Sequence, residues 1–343
     1  MKILLGMSGG VDSSFAAKML LDEGHQVEGA ALVMHEYTEV SCAELSAKEL
    51  GIPLHVIDVK KAFDEIIKKN FVSEYAAGRT PNPCIICNEK IKLRYMLDYA
   101  ISHGFDMIAT GHYASVVRID ESGELRYAIK TAKDEKKDQS YMLYRLGQDI
   151  LSRLYLPLSS VVKEDLRAQA SEEGLSSAGK KDSQEICFLP DGGYAEYVEG
   201  VLGDFPHGNF IDEEGRILGE HKGIIRYTVG QRKGLGIALG ERAFVTNIDP
   251  LSNTVTLSKN FSGRGEIELS EVVFSGMKLP DTPITVRTLV KVRYTAPLAP
   301  ATAFINNNGS IRLVFDSPVK ASKGQSAVLY SAEGVVMAGG FIS

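Results

Sequence analysis

Four cysteines, Cys42, Cys84, Cys87 and Cys187, are the side chains of this sequence best suited to covalent chemistry. Cys84 and Cys87 stand three positions apart in "TPNPCIICNEKIK", after two prolines and before a basic helical pattern. That spacing admits three readings: a redox pair, half of a metal site, or a nucleophile beside a bystander. A thiol attacks as the thiolate, which nearby cations and helix N-termini favour. Cys87 precedes Asn88, a candidate N-cap, with Lys90, Lys92 and Arg94 close by, and Cys187 follows Lys180 and Lys181. Both contexts suit a reactive thiol. Cys42 falls at an apolar position of an amphipathic helix and reads as a small buried hydrophobe. A structural zinc site needs a second ligand pair. Only Cys42, Cys187 and seven scattered histidines are available, so zinc is a minority reading.

A second constellation is "LLGMSGGVDSS". Ser8, Gly9, Gly10 and Val11 lie between a strand and a helix, with Asp12, Ser13 and Ser14 at the helix start. Glycines let the backbone approach a ligand closely, and free amides at a helix N-terminus point at an anion. The loop therefore suits a phosphate or pyrophosphate. It is not a Walker A loop, because G-x-x-x-x-G-K-[ST] is absent. A plain turn capped by Asp12 is the bland alternative. The ordered set Ser-Gly-Gly-Val-Asp-Ser after an N-terminal strand makes it the weaker one.

The elements that must hold these residues alternate between strand and helix. "KILLGMS" and "VEGAALVM" read as strands, separated by a helix from Asp12 to Glu23. A helix over 41–50, the strand "PLHVIDV", helices over about 61–76 and 88–103, and the strand "DMIATGH" follow. This rhythm predicts an α/β fold with a doubly wound parallel sheet. A hairpin over "YASVVRIDESGELRYAIKTA" interrupts it, before helices near 140–154 and 160–173. The expected domains are 1–190, a small central domain over 191–240, and a C-terminal antiparallel β-barrel over 241–343. The barrel is read from short strands and the hairpin turn "NNNGS".

The composition, 44% apolar and 24% charged over 343 residues, is that of a globular protein. No apolar run is long enough to span a membrane. Four cysteines in this length place the chain in a reducing cytosol rather than in a disulfide scaffold. A net charge of −6 argues against a nucleic-acid partner. Between Gly276 and Tyr330, however, seven basic residues face only Asp281 and Asp316, so a phosphate-binding face fits an otherwise acidic chain.

The loop "SGGVDS" resembles the signature of PP-loop ATP pyrophosphatases of the adenine nucleotide alpha hydrolase-like fold. With "AGRTPNPCIICNEKIK", "ATGHYA", "KDQSYMLY", "KKDSQEICF", "YTVGQRKGLGI" and "KGQSAVLY", the whole chain resembles the tRNA-specific 2-thiouridylases. The resemblance implies adenylation by ATP of the 2-oxygen of a wobble uridine, followed by displacement of AMP by sulfur. It implies pyrophosphate on Gly6, Met7, Ser8, Gly9, Gly10, Val11, Asp12 and Ser13, with Mg2+ near Asp12, and adenosine at Met34 and Gly111. It implies a persulfide on Cys187, released by Cys87, and a target base facing Asn82, Pro83 and Cys84. It implies tRNA contacts at His112, Lys137, Asp138, Gln139, Arg293, Tyr294 and Gln325, and a persulfide-carrying donor or relay protein as partner.

Three departures from the family pattern stand out. Cys84 occupies a position where aspartate is common, the segment between Met34 and Cys42 is short, and Glu185 replaces a common glycine. The first has chemical content, because three thiolates from Cys84, Cys87 and Cys187 can hold a [4Fe-4S] cluster with one iron open. Cluster-mediated sulfur delivery is therefore the alternative to a persulfide. The competing classes are a PP-loop ligase acting on a small molecule, which needs neither Cys87 nor Cys187, and a non-catalytic RNA-binding module, whose function would survive Asp12→Ala.

Overall fold

The structure, a computed structural model, describes residues 1–121, 123–180, 186–189, 193–237 and 242–343. Strand β1 (Lys2–Gly6) buries Ile3, Leu4 and Leu5 completely, as a strand covered on both faces must. The glycine loop leads from it to α1 (Val11–Asp22), and β2 (Gln26–Val33), α2 (Ser41–Glu49) and β3 (Leu54–Asp58) continue the alternation. Two long helical stretches follow, α3 over 60–76 and α4 over 83–102. Then come β4 (Met107–Ala109), the hairpin β5 (Ser115–Glu121) and β6 (Glu124–Lys130), β7 (Leu154–Tyr155) and α5 (Lys163–Glu172). The sheet order is β3-β2-β1-β4-β7, and every pairing is parallel. The doubly wound expectation holds. The order reverses direction between β1 and β4, and ligands of such sheets bind at the carboxyl ends of the strands flanking that switch. The glycine loop leaves β1 there, and Gly111 follows β4.

Both long helices carry a five-residue π-turn, Asp64–Lys68 in α3 and Asn88–Lys92 in α4. The sequence reading starts the second helix at Asn88. It begins at Pro83, whose fixed φ and missing N–H suit a first turn, so Cys84 and Cys87 both lie on the helix. Asn88 is no cap: it is 2% exposed and its amide donates to the Met142 carbonyl at 3.2 Å. The helix expected near 140–154 is a 3-10 turn (Ser140–Leu143) and a four-residue helix (Gln148–Leu151). Tyr141, Leu143, Tyr144 and Leu146 are all fully buried, which a one-sided surface helix does not achieve.

The central unit contains α6 (Tyr194–Leu202) and the strands β8 (Gly208–Ile211), β9 (Ile217–His221), β10 (Phe244–Asp249) and β11 (Thr254–Ser258), in the order β10-β11-β8-β9. The expected boundary at 241 groups β10 and β11 with the barrel. β10 pairs with β11 and β11 with β8, and Val245, Val255 and Leu257 pack with Phe210 in one core. The closed barrel starts at β12 (Arg264–Val273). It is completed by β13 (Ile284–Lys291), β14 (Ala299–Ile305), β15 (Ile311–Val319), β16 (Ser326–Tyr330) and β17 (Val336–Ile342).

The barrel is joined to the first domain by more than the chain. Val328, Tyr330 and Val336 share a core with Tyr141, Tyr144 and Leu154. The Tyr141 hydroxyl donates to the Ser326 carbonyl at 2.9 Å. No described helix is long and apolar enough to cross a membrane.

Candidate active site

At the carboxyl end of β1, Gly9 adopts φ +69°, and a Cβ there would lie 2.4 Å from Cys42 Cβ. Cys42 is half-buried rather than fully buried, packed against the loop. Gly10 is the N-cap of α1 and supplies no side chain, so the first-turn amides have no side-chain acceptor. The loop is braced from within: Ser13 and Ser14 hydroxyls donate to the Gly10 carbonyl at 3.0 and 3.1 Å. Ser8 stays exposed at the rim. Gly111 approaches so closely that a Cβ would sit 3.0 Å from the Asp12 carbonyl carbon. A side chain at 111 would push on the loop backbone.

Two lysines converge on this loop, and neither was singled out for it from sequence. Lys163, 4% exposed at the start of α5, places Nζ 2.6 Å from both Asp12 carboxylate oxygens. The Tyr113 hydroxyl also donates to Asp12, at 2.8 Å. Lys180 Nζ donates to the Gly9 carbonyl at 3.1 Å. Two ammonium groups, one of them paired with Asp12, beside uncapped helix amides leave a net positive corner suited to an anion. Asp12, expected near magnesium, is therefore occupied by Lys163. Magnesium is commonly held by one or two carboxylates together with substrate phosphates, not by a cage of protein ligands. No described side chains form such a cage here. The residues present fit an ion that arrives on the nucleotide.

The thiols lie next to this corner. Cys87 Sγ contacts Met34 Sδ at 4.0 Å, so the residue expected at the adenosine also touches the expected nucleophile. Cys87 is 4% exposed, and burial pushes its thiol up to about 12, against the pull of the Lys92 ammonium and backbone N–H. Cys187 is exposed and its thiol is also raised, by the protein packed beside it, with Lys92 again opposing. Burial works against the charge of Lys92, but Cys87, Cys84 and Cys187 outweigh it and hold its pKa above the usual lysine range. The π-turn makes this arrangement, because a five-residue repeat sets Lys92 over Cys87. His112, bonded through Nδ1 to the Thr110 hydroxyl oxygen at 2.8 Å, is pushed down to about 3 by burial and then by Lys92, so it is neutral. Among the described residues no three His, Cys, Asp or Glu side chains are gathered to hold a metal. The [4Fe-4S] alternative finds no support among the described residues. The contrast in access gives an expected result: limited iodoacetamide at pH 8 should label Cys187 at least about tenfold faster than Cys87, as read by peptide mass spectrometry.

The other expected site residues divide by what already holds them. Asn82 points its amide at Met142 Sδ, 3.8 Å away, and Pro83 is buried. Asp138 is 6% exposed and accepts from the Ser140 hydroxyl at 2.7 Å and the Ala132 amide at 3.0 Å. Gln139 accepts from the Tyr113 amide at 2.9 Å. Gln325 donates to the Thr80 carbonyl at 2.7 Å and ties the barrel to the loop before Cys84. Arg293 bonds Ser322 and the Val229 carbonyl, and Lys291 lies 5.6 Å from the Tyr294 ring centre. Lys137 is half-buried. A cleft of about 680 Å³ opens where the three units meet, with Asn82, Arg79, Lys90, Arg145, Asn247 and Lys323 among its walls. Lys181 and Glu185 lie outside the described residues.

A glycine-rich helix-start loop at the switch point of a parallel sheet, with a barrel behind, is the arrangement of a PP-loop fold. Residues 1–191 match the family described as tRNA methyl transferase HUP domain, 195–259 its PRC-barrel domain, and 264–342 the aminomethyltransferase beta-barrel domain. The tRNA-specific 2-thiouridylases MnmA of Acetivibrio thermocellus and Clostridium acetobutylicum are 42% and 41% identical to the chain, each alignment covering 99% of both proteins. That of Clostridioides difficile is 40% identical over 99% of this chain and 98% of its own length. The chain belongs to the tRNA-specific 2-thiouridylase family.

Proposed function

We propose that the chain uses ATP to adenylate the 2-oxygen of a tRNA wobble uridine and replaces that oxygen with sulfur from a Cys187 persulfide. The observation that carries the reading is the Cys87–Met34 contact, which puts a thiol against the expected adenosine pocket. Lys163 and Lys180, with the first-turn amides of α1, hold the departing pyrophosphate, and bound Mg2+ offsets charge on the phosphates. The Cys87 sulfur then attacks Cys187 Sγ of the persulfide. The persulfide S–S bond breaks, a Cys87–Cys187 disulfide forms, and the terminal sulfur leaves as hydrogen sulfide carrying the Cys87 proton. That sulfur attacks C2 of the adenylated uridine, and AMP departs with the former 2-oxygen. Lys92 is the cation placed to steady sulfur anions in this exchange.

The substrate tRNA is proposed to reach the pocket from the three-unit cleft, with Asn82 at the base and Lys137, Arg293 and Tyr294 along the strand. His112, Asp138, Gln139 and Gln325 shape that surface through the bonds described above. A persulfide-carrying donor of the cytosol loads the exposed Cys187. The arrangement of the thiols lends no support to a cluster route. The test is AMP release with ATP and tRNA, followed by nucleoside mass spectrometry. AMP release should depend on tRNA and 2-thiouridine should appear. AMP release without tRNA, supported by a small-molecule acceptor, would instead identify a ligase.

A further inference from the structure

We infer that Cys84 is a resolving thiol that takes the disulfide off Cys187 and keeps it on the Cys84–Cys87 pair. The inference rests on the persulfide reading and adds the step that resets Cys187. Cys84 and Cys87 lie one turn apart on α4. Residues three apart on a helix have Cα atoms about 5 Å apart, inside the range of roughly 4.4–6.8 Å that a disulfide bridges. The two differ in access, with Cys84 half-buried and Cys87 4% exposed. Cys187 is close enough to interact electrostatically with Cys84, and Cys87 with both other thiols. Among the described residues, the partners of Lys92 within this pocket are these three sulfurs, with no carboxylate among them. His112, which also interacts with Lys92, is neutral. One ammonium thus balances whichever sulfur carries the charge, and moving the charge between sulfurs leaves the pocket's electrostatics almost unchanged.

The step balances without an outside oxidant. The Cys84 thiolate attacks Cys87 Sγ in the Cys87–Cys187 disulfide. The Cys87–Cys187 bond breaks, the Cys84–Cys87 bond forms, and the electron pair leaves on Cys187 as its thiolate. Cys187 is then ready for the next persulfide. An external dithiol reductant later reduces the Cys84–Cys87 disulfide and closes the cycle.

The experiment is a single turnover on tRNA by the persulfide-loaded chain, without reductant, quenched in acid and alkylated. Disulfides are mapped on unreduced peptides, and 2-thiouridine is counted in the same sample. The wild-type chain should show about one Cys84–Cys87 disulfide per thiouridine, with Cys187 alkylated. Cys84→Ser should trap the Cys87–Cys187 disulfide. Wild-type chain that makes thiouridine yet keeps its disulfide on Cys187 overturns the inference. A wild-type chain that makes no thiouridine speaks instead against the persulfide reading. A second measurement is independent of turnover: equilibration of tRNA-free wild-type chain in a glutathione redox buffer. There the Cys84–Cys87 disulfide should predominate, and predominance of Cys87–Cys187 refutes the idea. Anaerobically isolated chain with about four irons bound through all three cysteines also overturns it, because Cys84 would then be a cluster ligand.

Discussion

A Cys187→Ser chain is expected to keep releasing pyrophosphate from ATP when tRNA is added, while forming no 2-thiouridine. Serine oxygen cannot carry a persulfide, so sulfur transfer should fall to background, at least about 10³-fold. The adenylation half should survive because the corner proposed to hold the phosphates is built from other groups: the Gly9–Gly10 backbone, Lys163 and Lys180. Cys87→Ser should look the same in thiouridine yield but differ in the protein. Its Cys187 loads a persulfide and cannot discharge it, so the extra sulfur stays on the Cys187 peptide. Pyrophosphate release measured beside peptide and nucleoside mass spectrometry separates the two. Thiouridine made by Cys187→Ser at more than a few per cent of the wild-type rate would sink the persulfide route.

Lys163→Met should cut kcat/KM for ATP by about 10²–10³-fold, or about 3–4 kcal/mol, the scale of losing a charged donor in a protected site. Lys163 is 4% exposed, and its Nζ sits 2.6 Å from both oxygens of Asp12. Without it, the Asp12 carboxylate faces the incoming triphosphate with only the Tyr113 hydroxyl to offset it. The loss thus has two parts, a missing attraction and a new repulsion. Adding Asp12→Asn to Lys163→Met removes the repulsion, so the double variant should be less impaired than the product of the single effects implies. Strict additivity, or a single variant within about threefold of wild type, would reduce Lys163 to a packing role.

The glycine loop and the sheet under it are legible in the sequence because each signal is local. An apolar strand, two glycines and a helix start lie within Lys2 to Ser14, and the fold uses them in that order. The thiols are legible by type and neighbourhood, but their setting is not. Asn88 has the type and place of a cap, yet a proline also opens a helix, and here Pro83 does. Lys163 carries no pattern at all, since it meets Asp12 across 151 residues of chain. The hairpin β10–β11 alternates as an edge hairpin of any sheet would. Which sheet it joins is decided by its parallel pairing with β8, a long-range contact absent from the alternation. The roles of Asp138 and Gln325 are likewise hidden, because a polar residue held by Ser140 or Thr80 reads in sequence like one exposed to solvent.

The π-turn at Asn88–Lys92 makes the pocket sensitive to a count of residues rather than to their identity. The half of α4 beyond it is fixed to the core by Leu93, Met96, Leu97 and Ala100. Deleting one residue inside the turn would restore ordinary helical winding, and because a π-turn holds one residue more than an α-turn, the faces before and after it would stay in register. The place of Lys92 relative to the sulfurs would change while all three cysteines remained present. A length change of one in this segment therefore alters the winding between Cys87 and Lys92 without altering any cysteine.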